Sequence, residues 1–219
     1  MTNYARNLYM LFFALCLSSP LAGQSKSLKV RLDTDQVPEL NPWGEEAKQL
    51  ILRWQPRICN LLPSVASEVS NHVELVINKS EKGVGGTLGN KIGISSGWIK
   101  KHPEDFGLVI HELVHVIQRY PSPKPTWVTE GIADYIRWAI YEGKEQTWFP
   151  FPDEKHGYKK GYRVAAGFLL WLESDLSPGI VKQLNTAMRQ QKYTDEIFRD
   201  RSGKPLEQLW DEYLKFRKR

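Results

Sequence analysis

The stretch Gly107-Leu-Val-Ile-His-Glu-Leu-Val-His-Val-Ile-Gln118 contains an H-E-x-x-H motif, formed by His111, Glu112 and His115. On an α-helix, positions i and i+4 lie on nearly the same face, so both imidazoles can reach one metal ion. Glu112 would then project beside the open coordination position, where it can take a proton from a water on the metal. The motif predicts a metal-dependent hydrolase, and the alternative is a chance occurrence on a surface helix.

The apolar residues around the motif support a buried helix. They recur at helical spacing, and both histidines lie off this stripe together, which two unrelated core histidines have no reason to do. Prolines limit the helix, which we predict to begin after Pro103 and to end before Pro121. The apolar stripe consists of Phe106, Val109, Ile110, Leu113, Val114 and Ile117.

A second helical pattern, Trp127-Val-Thr-Glu-Gly-Ile-Ala-Asp-Tyr135, places Glu130 and Asp134 at i and i+4. Two carboxylates at this spacing repel each other, by about 0.2–0.5 kcal/mol on an exposed helix, and a cation between the helices would remove that penalty. Glu130 can therefore supply a third metal ligand. Asp134 can accept the other ring N–H of a ligand histidine and so determine its tautomer. Gly131 has no side chain and allows two helices to approach closely.

Four segments carry a resemblance to a known family. They are Asn90-Lys-Ile-Gly-Ile-Ser-Ser-Gly-Trp-Ile99, His111-Glu-Leu-Val-His-Val-Ile-Gln118, Glu130-Gly-Ile-Ala-Asp-Tyr-Ile-Arg137 and Gly161-Tyr-Arg-Val-Ala-Ala-Gly-Phe-Leu-Leu-Trp171. In order and spacing they resemble the basic secretory protein family, a group of secreted plant and bacterial proteins regarded as zinc metallopeptidases. The resemblance covers roughly residues 30–215.

The resemblance implies a zincin-like fold and one Zn²⁺ per chain. The E-G-x-x-D arrangement from Glu130 to Asp134 is similar to that of gluzincin peptidases, in which the glutamate is the third zinc ligand. We therefore expect zinc to be held by His111, His115 and Glu130 plus a water, with Glu112 as the general base. Imidazole also suits other transition metals, so the ligand types alone do not select zinc.

Tyr162 begins a strongly apolar helical pattern, at a position that recurs in the family. Its phenol could donate a hydrogen bond to the oxyanion that forms when water attacks a peptide carbonyl. The alternative is a tyrosine that only packs in the core. His156 and Tyr158 are weaker candidates for the same task. The aromatic segment Trp148-Phe-Pro-Phe-Pro152 either lines a cleft wall or packs on the core as a loop.

The order of strand and helix patterns predicts a single α+β domain with a small mixed sheet, the H-E-x-x-H helix and a helical C-terminal half. Alternating apolar residues predict strands over 28–33, 73–77 and 90–95. In zincin folds the strand before the metal-binding helix forms the edge beside the cleft, so we expect 90–95 to pair with an extended substrate. The glycine-rich stretch 81–90 lacks the ending of a phosphate loop and predicts a flexible hairpin loop.

Further helical patterns surround the motifs. Asn41 suits the N-cap of the first helix and Pro42 its first helical position, and Pro56 is expected to kink or end that helix. We predict that Thr126 or Thr129 caps the helix of the second motif. The other helical patterns cover residues 63–69, 161–172, 178–190 and 205–216.

The composition is that of an ordinary globular domain. In a chain of 219 residues, 41% are hydrophobic and 25% are charged, which argues against disorder and against a membrane protein. The net charge of +5 permits attraction to acidic cell-surface polymers or anionic lipid. No nucleic-acid motif accompanies the basic C-terminal run, so a nucleic-acid partner is not expected.

The N-terminus predicts a signal peptide over residues 1–24. Arg6 precedes an apolar run of ten residues that begins at Leu8, too few to span a bilayer, and small residues follow near Ala22. Cys16 fits a lipoprotein signal poorly, because bulky Leu15 precedes it. We therefore expect a secreted or periplasmic domain over 25–219, in which no intramolecular disulfide can form because a single cysteine remains.

These observations favour a secreted zinc metallopeptidase that acts on peptides or proteins. Two alternatives remain open at this stage. One is a secreted defence or binding protein that keeps a metal site but cleaves little, and the other is a zinc amidohydrolase that acts on a non-peptide or cell-wall amide. The presence of Glu112 favours hydrolysis, because a structural metal site needs no general base.

Overall fold

Four strands form one mixed sheet in the computed structural model, which describes residues 27–64, 70–151 and 154–219. The strands are β1 (Lys29–Asp33), β2 (His72–Asn78), β3 (Gly85–Leu88) and β4 (Lys91–Ser95). Their order across the sheet is β1-β2-β4-β3, with β2 parallel to both β1 and β4, and β3 antiparallel to β4. The three predicted strands are confirmed as β1, β2 and β4.

The glycine-rich stretch differs from its prediction as a flexible loop. Gly85 pairs with Ile94 and Leu88 with Lys91, so β3 and β4 form a hairpin whose turn contains Gly89 in the left-handed region at φ 63°. As a result, β4 lies inside the sheet and β3 forms its edge, so the prediction of 90–95 as the edge strand is wrong. β3 has two glycines and no alternating apolar residues, which is why hydrophobic periodicity did not reveal it.

The first helix, α1 (Asn41–Leu61), packs against β1 and against the helix that carries the H-E-x-x-H motif. Its buried face includes Ala47, Leu50 and Ile51. The prediction of Asn41 as N-cap is wrong, because Asn41 is the first helical residue. Pro56 was expected to kink or end the helix, and it does not end it, since the helix continues to Leu61.

One short helix leads from the sheet to the helix with the H-E-x-x-H motif. Helix α2 (Ser96–Lys101) was not predicted and follows β4 directly, with the Ser95 hydroxyl accepting from the Trp98 amide. Helix α3 (Gly107–Gln118) lies between Pro103 and Pro121, as predicted. Nearly every residue of α3 is buried, because α1, the sheet and the next helix surround it.

Helix α4 (Thr126–Asp134) carries the second motif and continues as a π-helical segment, Tyr135–Tyr141. The predicted threonine cap is wrong, because the N-cap position is Pro125 and no side chain caps the helix. The Thr129 hydroxyl instead donates to the carbonyl of Pro123 at 2.9 Å. This bond ties the first turn of α4 to the loop that precedes it.

Helix α5 (Tyr162–Trp171) packs closely against α4. A Cβ added to Gly131 would lie 2.8 Å from the Cβ of Ala165, so the predicted close approach of two helices at Gly131 is confirmed. A π-helical segment, Leu172–Leu176, extends α5. The α4–α5 contact sets the distance between Glu130 on one helix and Tyr162 at the start of the other.

Three helices complete the helical C-terminal half: α6 (Ile180–Arg189), α7 (Glu196–Ser202) and α8 (Leu206–Arg217). The patterns over 178–190 and 205–216 predicted α6 and α8, whereas α7 was not predicted. Buried aromatic rings join α8 and the turn around Tyr158 to α5, with centroid separations between 5.2 and 5.8 Å. The rings are Tyr158, Phe168, Trp210 and Tyr213.

The α+β class with a small mixed sheet is confirmed for the described residues. The predicted signal peptide over 1–24 lies outside them, as does most of the predicted short helix over 63–69. None of the helices that the structure describes combines the length and apolar character needed to cross a membrane.

Candidate metal centre

Three side chains from two helices meet at one point. The Nε2 atoms of His111 and His115 lie 3.0 Å apart, and the Oε2 atom of Glu130 lies 3.3 and 3.4 Å from them. A tetrahedral ion with ligand bonds of about 2.0–2.1 Å has ligand atoms about 3.3–3.4 Å apart. These three atoms therefore fit one face of a tetrahedral metal site, and they are the group in the described chain that could hold a metal ion.

The helices explain why the three atoms converge. Residues i and i+4 of α3 place His111 and His115 one turn apart on the same face, with their rings at 81° to each other. Helix α4 packs against that face and adds Glu130 from its middle. The fourth side of the site faces a cavity, so a ligand could approach an ion there.

Each histidine has a polar partner on its other ring nitrogen. The Nδ1 atom of His111 lies 2.8 Å from Oδ1 of Asp134, and both residues are buried. The Nδ1 atom of His115 lies 2.8 Å from Oε1 of Gln118. With Nδ1 engaged in this way, Nε2 is the atom of each ring that remains for a metal. Asp134 was expected near a histidine, whereas Gln118 was assigned no role.

The charges of the site support one another in the metal-free protein. Burial lowers the pKa of His111, but the hydrogen bonds to Asp134 and Glu130 outweigh it and raise the pKa to about 9. Burial raises the pKa of Glu130, but the hydrogen bonds to His111 and His115 outweigh it and lower the pKa to about 2. The Glu130 carboxylate is thus ionised at neutral pH, and the His111 ring carries a proton.

Glu112 lies at the boundary between α3 and the edge strand. Its Oε2 atom is 2.8 Å from the Thr87 hydroxyl, which also lies 3.0 Å from the Glu112 carbonyl. A Cβ added to Gly85 would lie 3.4 Å from Oε1 of Glu112. The edge strand therefore holds one carboxylate oxygen through Thr87 and leaves room for the other at Gly85.

Cavities lie on both sides of the candidate ligands and share His111, Glu112, Gly85 and Tyr162 in their walls. One has a volume of about 710 Å³ and extends along β3 to Gln118 and Thr129. The other has a volume of about 560 Å³ and is lined by Leu108, Trp138, Arg163 and Val164, among others. Together they form a cleft between β3 and the start of α5.

Tyr162 lies in this cleft, with 51% of its surface exposed and its ring 6.5 Å from that of His111. The negative charge of Glu130, with burial and Asp134, raises the pKa of Tyr162, which keeps the phenol protonated. Tyr162 is therefore not a core tyrosine. Tyr158 is, since it is fully buried among aromatic rings.

The aromatic segment, of which residues 148–151 are described, combines both of its predicted roles. Phe149 is buried in the core, Trp148 is partly exposed, and Pro150 lines the smaller cavity. The main residues that sequence reasoning missed are Thr87 and Gln118. Gln118 had a usable signal, because a polar residue three positions after His115 falls on the same helical face. Thr87 had none, because only strand pairing brings it to Glu112.

A protein-family model described as a peptidase of plants and bacteria, the BSP family, matches residues 44–213. The chain belongs to this family. The match confirms the resemblance to the basic secretory protein family and covers every candidate site residue, from Thr87 to Tyr162. No curated protein and no solved structure matches the chain.

Proposed function

We propose that this member of the BSP family is a zinc-dependent peptidase with a zincin-like, gluzincin-type site. The observation that carries the proposal is the close group of His111, His115 and Glu130 with Glu112 beside it on the cleft wall. Two imidazoles and one carboxylate are a ligand set typical of catalytic zinc, which keeps a position open. The family description, a peptidase of plants and bacteria, supports a peptide or protein substrate.

His111, His115 and Glu130 would hold the ion. When bound, zinc would polarise the substrate carbonyl and lower the pKa of water to near neutrality. Glu112 is the general base in this proposal, because it lines the cleft next to the ligands and Thr87 holds one of its oxygens. It would accept the proton of the attacking water and transfer it to the departing amine.

Tyr162 and the edge strand would position the substrate. The protonated phenol of Tyr162, on the opposite cleft wall, would donate a hydrogen bond to the oxyanion as it forms. β3 has no strand on its outer side among the described residues, so its free backbone groups can pair with an extended peptide. The substrate-binding edge in this proposal is therefore β3 rather than β4.

Metal content and peptide cleavage together test the proposal. We expect the purified protein to hold one zinc and to cleave casein or a peptide library. Glu112→Gln should keep the metal and lose cleavage by about 10²–10⁴-fold, the usual value of a general base, whereas Glu130→Ala should bind zinc weakly. The exposed Glu145, which lines neither cavity of the site, provides a matched control, and Glu145→Gln should change neither property.

Other outcomes would favour a different function or contradict the proposal. Full zinc occupancy without cleavage of any peptide would favour a binding protein or a hydrolase of non-peptide amides. A wild-type protein that takes up no metal would contradict the proposed site. Cleavage that survives Glu112→Gln at the wild-type rate would contradict the role of Glu112.

We also propose export, on the basis of the N-terminal pattern over residues 1–24. The signal peptide should end between Ala22 and Ser25, which N-terminal sequencing of the secreted or periplasmic protein from its natural host would show. A chain that remains in the cytoplasm with Met1 intact would contradict this proposal.

A further inference from the structure

Gln118 is a buried amide whose two ends both make hydrogen bonds within the site. Only 1% of its surface is exposed, at the last position of α3. Its Oε1 atom lies 2.8 Å from Nδ1 of His115, and its Nε2 atom donates to the carbonyl of Thr129 at 3.0 Å. Burying a polar group costs free energy unless its hydrogen bonds are made, so this position selects a side chain with one acceptor and one donor.

The hydrogen bond to Thr129 determines which end of the Gln118 amide faces His115. The Thr129 carbonyl can only accept, so the amide nitrogen of Gln118 must face it and the amide oxygen must face His115. An oxygen in that place accepts, which puts the proton of a neutral His115 ring on Nδ1. The lone pair of Nε2 then points to His111 and Glu130, the direction in which an ion would bind.

The bond to Thr129 also connects the two helices of the site. Thr129 immediately precedes Glu130, and its hydroxyl is held by Pro123. The amide of Gln118 thus joins a ligand on α3 to the backbone beside the ligand on α4. A single side chain orients His115 and limits how far Glu130 can move from it.

The two histidines differ in the charge of their partners. Asp134 places a carboxylate on His111, whereas the neutral amide of Gln118 lies on His115. Glu112, Glu130 and Asp134 already surround the site with three carboxylates. The neutral amide of Gln118 gives His115 the Nδ1–H tautomer without adding a fourth negative charge to the site.

We propose that Gln118 is a positioning residue of the metal centre, which fixes the Nδ1–H tautomer of His115 and joins it to the start of α4. This inference rests on the proposed zinc site but requires no peptidase activity. Hydrogen-bond partners of ligand histidines typically contribute 10–100-fold to metal affinity. Gln118 would act through His115 and would not contact the substrate.

The test compares three variants of the full chain by zinc affinity, measured by competition with a chelating dye. Gln118→Met keeps the volume and removes both hydrogen bonds, and we expect a loss of about 10–100-fold. Thr129→Val removes the bond to Pro123 and loosens the same segment without touching His115, and we expect no comparable loss. Gln118→Glu keeps an acceptor for His115 and should bind zinc more tightly than Gln118→Met.

A second readout needs no metal. In the zinc-free protein, ¹⁵N NMR of the His115 ring should report the Nδ1–H tautomer at a pH where the ring is neutral. Gln118→Met should give a mixture of tautomers, and Gln118→Glu should not. Urea unfolding of each variant shows which ones fold, and the tautomer of any folded variant decides the question.

The outcomes separate this inference from the proposed function. Equal affinity losses in Gln118→Met and Thr129→Val, with the His115 tautomer unchanged, would show that Gln118 is only a structural brace and would overturn the inference. Zinc binding that depends on Gln118 in a protein that cleaves no peptide would support the inference and contradict the peptidase. A wild type that binds no zinc would overturn both.

Discussion

The two walls of the cleft differ in almost every physical respect. The helical wall, α3 and α4, is buried and apolar apart from the site residues, and its ligands are at helical spacing. The other wall is β3, a four-residue edge strand that contains two glycines and an 84% exposed Leu88. The helical wall holds the candidate ligands, and the strand contacts the candidate general base. We infer that metal binding and stability depend on the helical wall. The strand would orient Glu112 and the substrate.

After Glu112, the largest effect on activity should come from Tyr162, which begins α5 and lies across the cleft from β3. Tyr162→Phe removes the phenol and should lower kcat by about 10²–10³-fold, the usual cost of losing one oxyanion donor. Zinc content and KM should change little, because the residue is half exposed and is not a candidate ligand. Steady-state kinetics beside metal analysis measures this, and an unchanged kcat would remove Tyr162 from the mechanism.

The charges of the helical wall should make the stability of the metal-free protein depend on pH. The folded pKa of His111, about 9, lies above its unfolded value near 6.5. Protonation of His111 therefore contributes about 3 kcal/mol to the free energy of unfolding. This contribution is complete below pH 6.5 and is lost as the pH rises through 9. Urea unfolding of chelator-treated protein at pH 6 and pH 9.5 measures the change.

Asp134→Asn supplies the control for that measurement, because the variant lacks the carboxylate that raises the pKa of His111. Its stability should depend less on pH over the same range. Glu130 makes the opposite contribution, which is present above about pH 4.5 and lost only toward pH 2, outside this window. A metal-free wild type as stable at pH 9.5 as at pH 6 would contradict the prediction.

Glycine-to-alanine substitutions compare the two walls directly. Gly131→Ala forces a Cβ to 2.8 Å from that of Ala165, and such overpacking typically costs about 1–3 kcal/mol. Gly86→Ala in β3 meets no atom within 4 Å and should leave the free energy of unfolding almost unchanged. Urea unfolding of both variants checks this. Equal destabilisation would show that the strand is packed as tightly as the helices.

The smaller of the two expected effects on kcat should come from the strand, through Thr87. Thr87→Val keeps the shape and removes the hydrogen bond to Glu112, and a bond to a charged group contributes about 1.5–3 kcal/mol when fully buried. Because this bond is only partly buried, we expect kcat to fall about 10-fold, with zinc affinity unchanged. Thr87→Ser should restore activity. A loss of zinc in Thr87→Val would mean that the strand also supports the metal site.

The sequence predicted the helical wall and missed most of the strand wall for one physical reason. The 3.6-residue period of a helix places His111 beside His115 and Glu130 beside Asp134. The sequence spacing within each helix therefore predicts which side chains share a face. Thr87 contacts Glu112, 25 residues away in sequence, because the β3–β4 hairpin brings them together. The glycine-rich edge strand has no alternation of apolar and polar residues from which this contact could be predicted. The N-caps of α1 and α4 were predicted wrongly, because Leu40 and Pro125 occupy these positions and neither side chain can accept a hydrogen bond.

The outer edge of β3, which no strand of the described residues covers, also bears on how the protein behaves at high concentration. An unpaired strand edge is a template on which another copy of the same chain could add a strand, and such growth leads to aggregation. Here the edge has only four residues, so an added strand would gain few backbone hydrogen bonds. The net charge of +5 further opposes the approach of like molecules. We therefore expect that an edge this short does not bind strands of other copies of the chain, even in a concentrated solution.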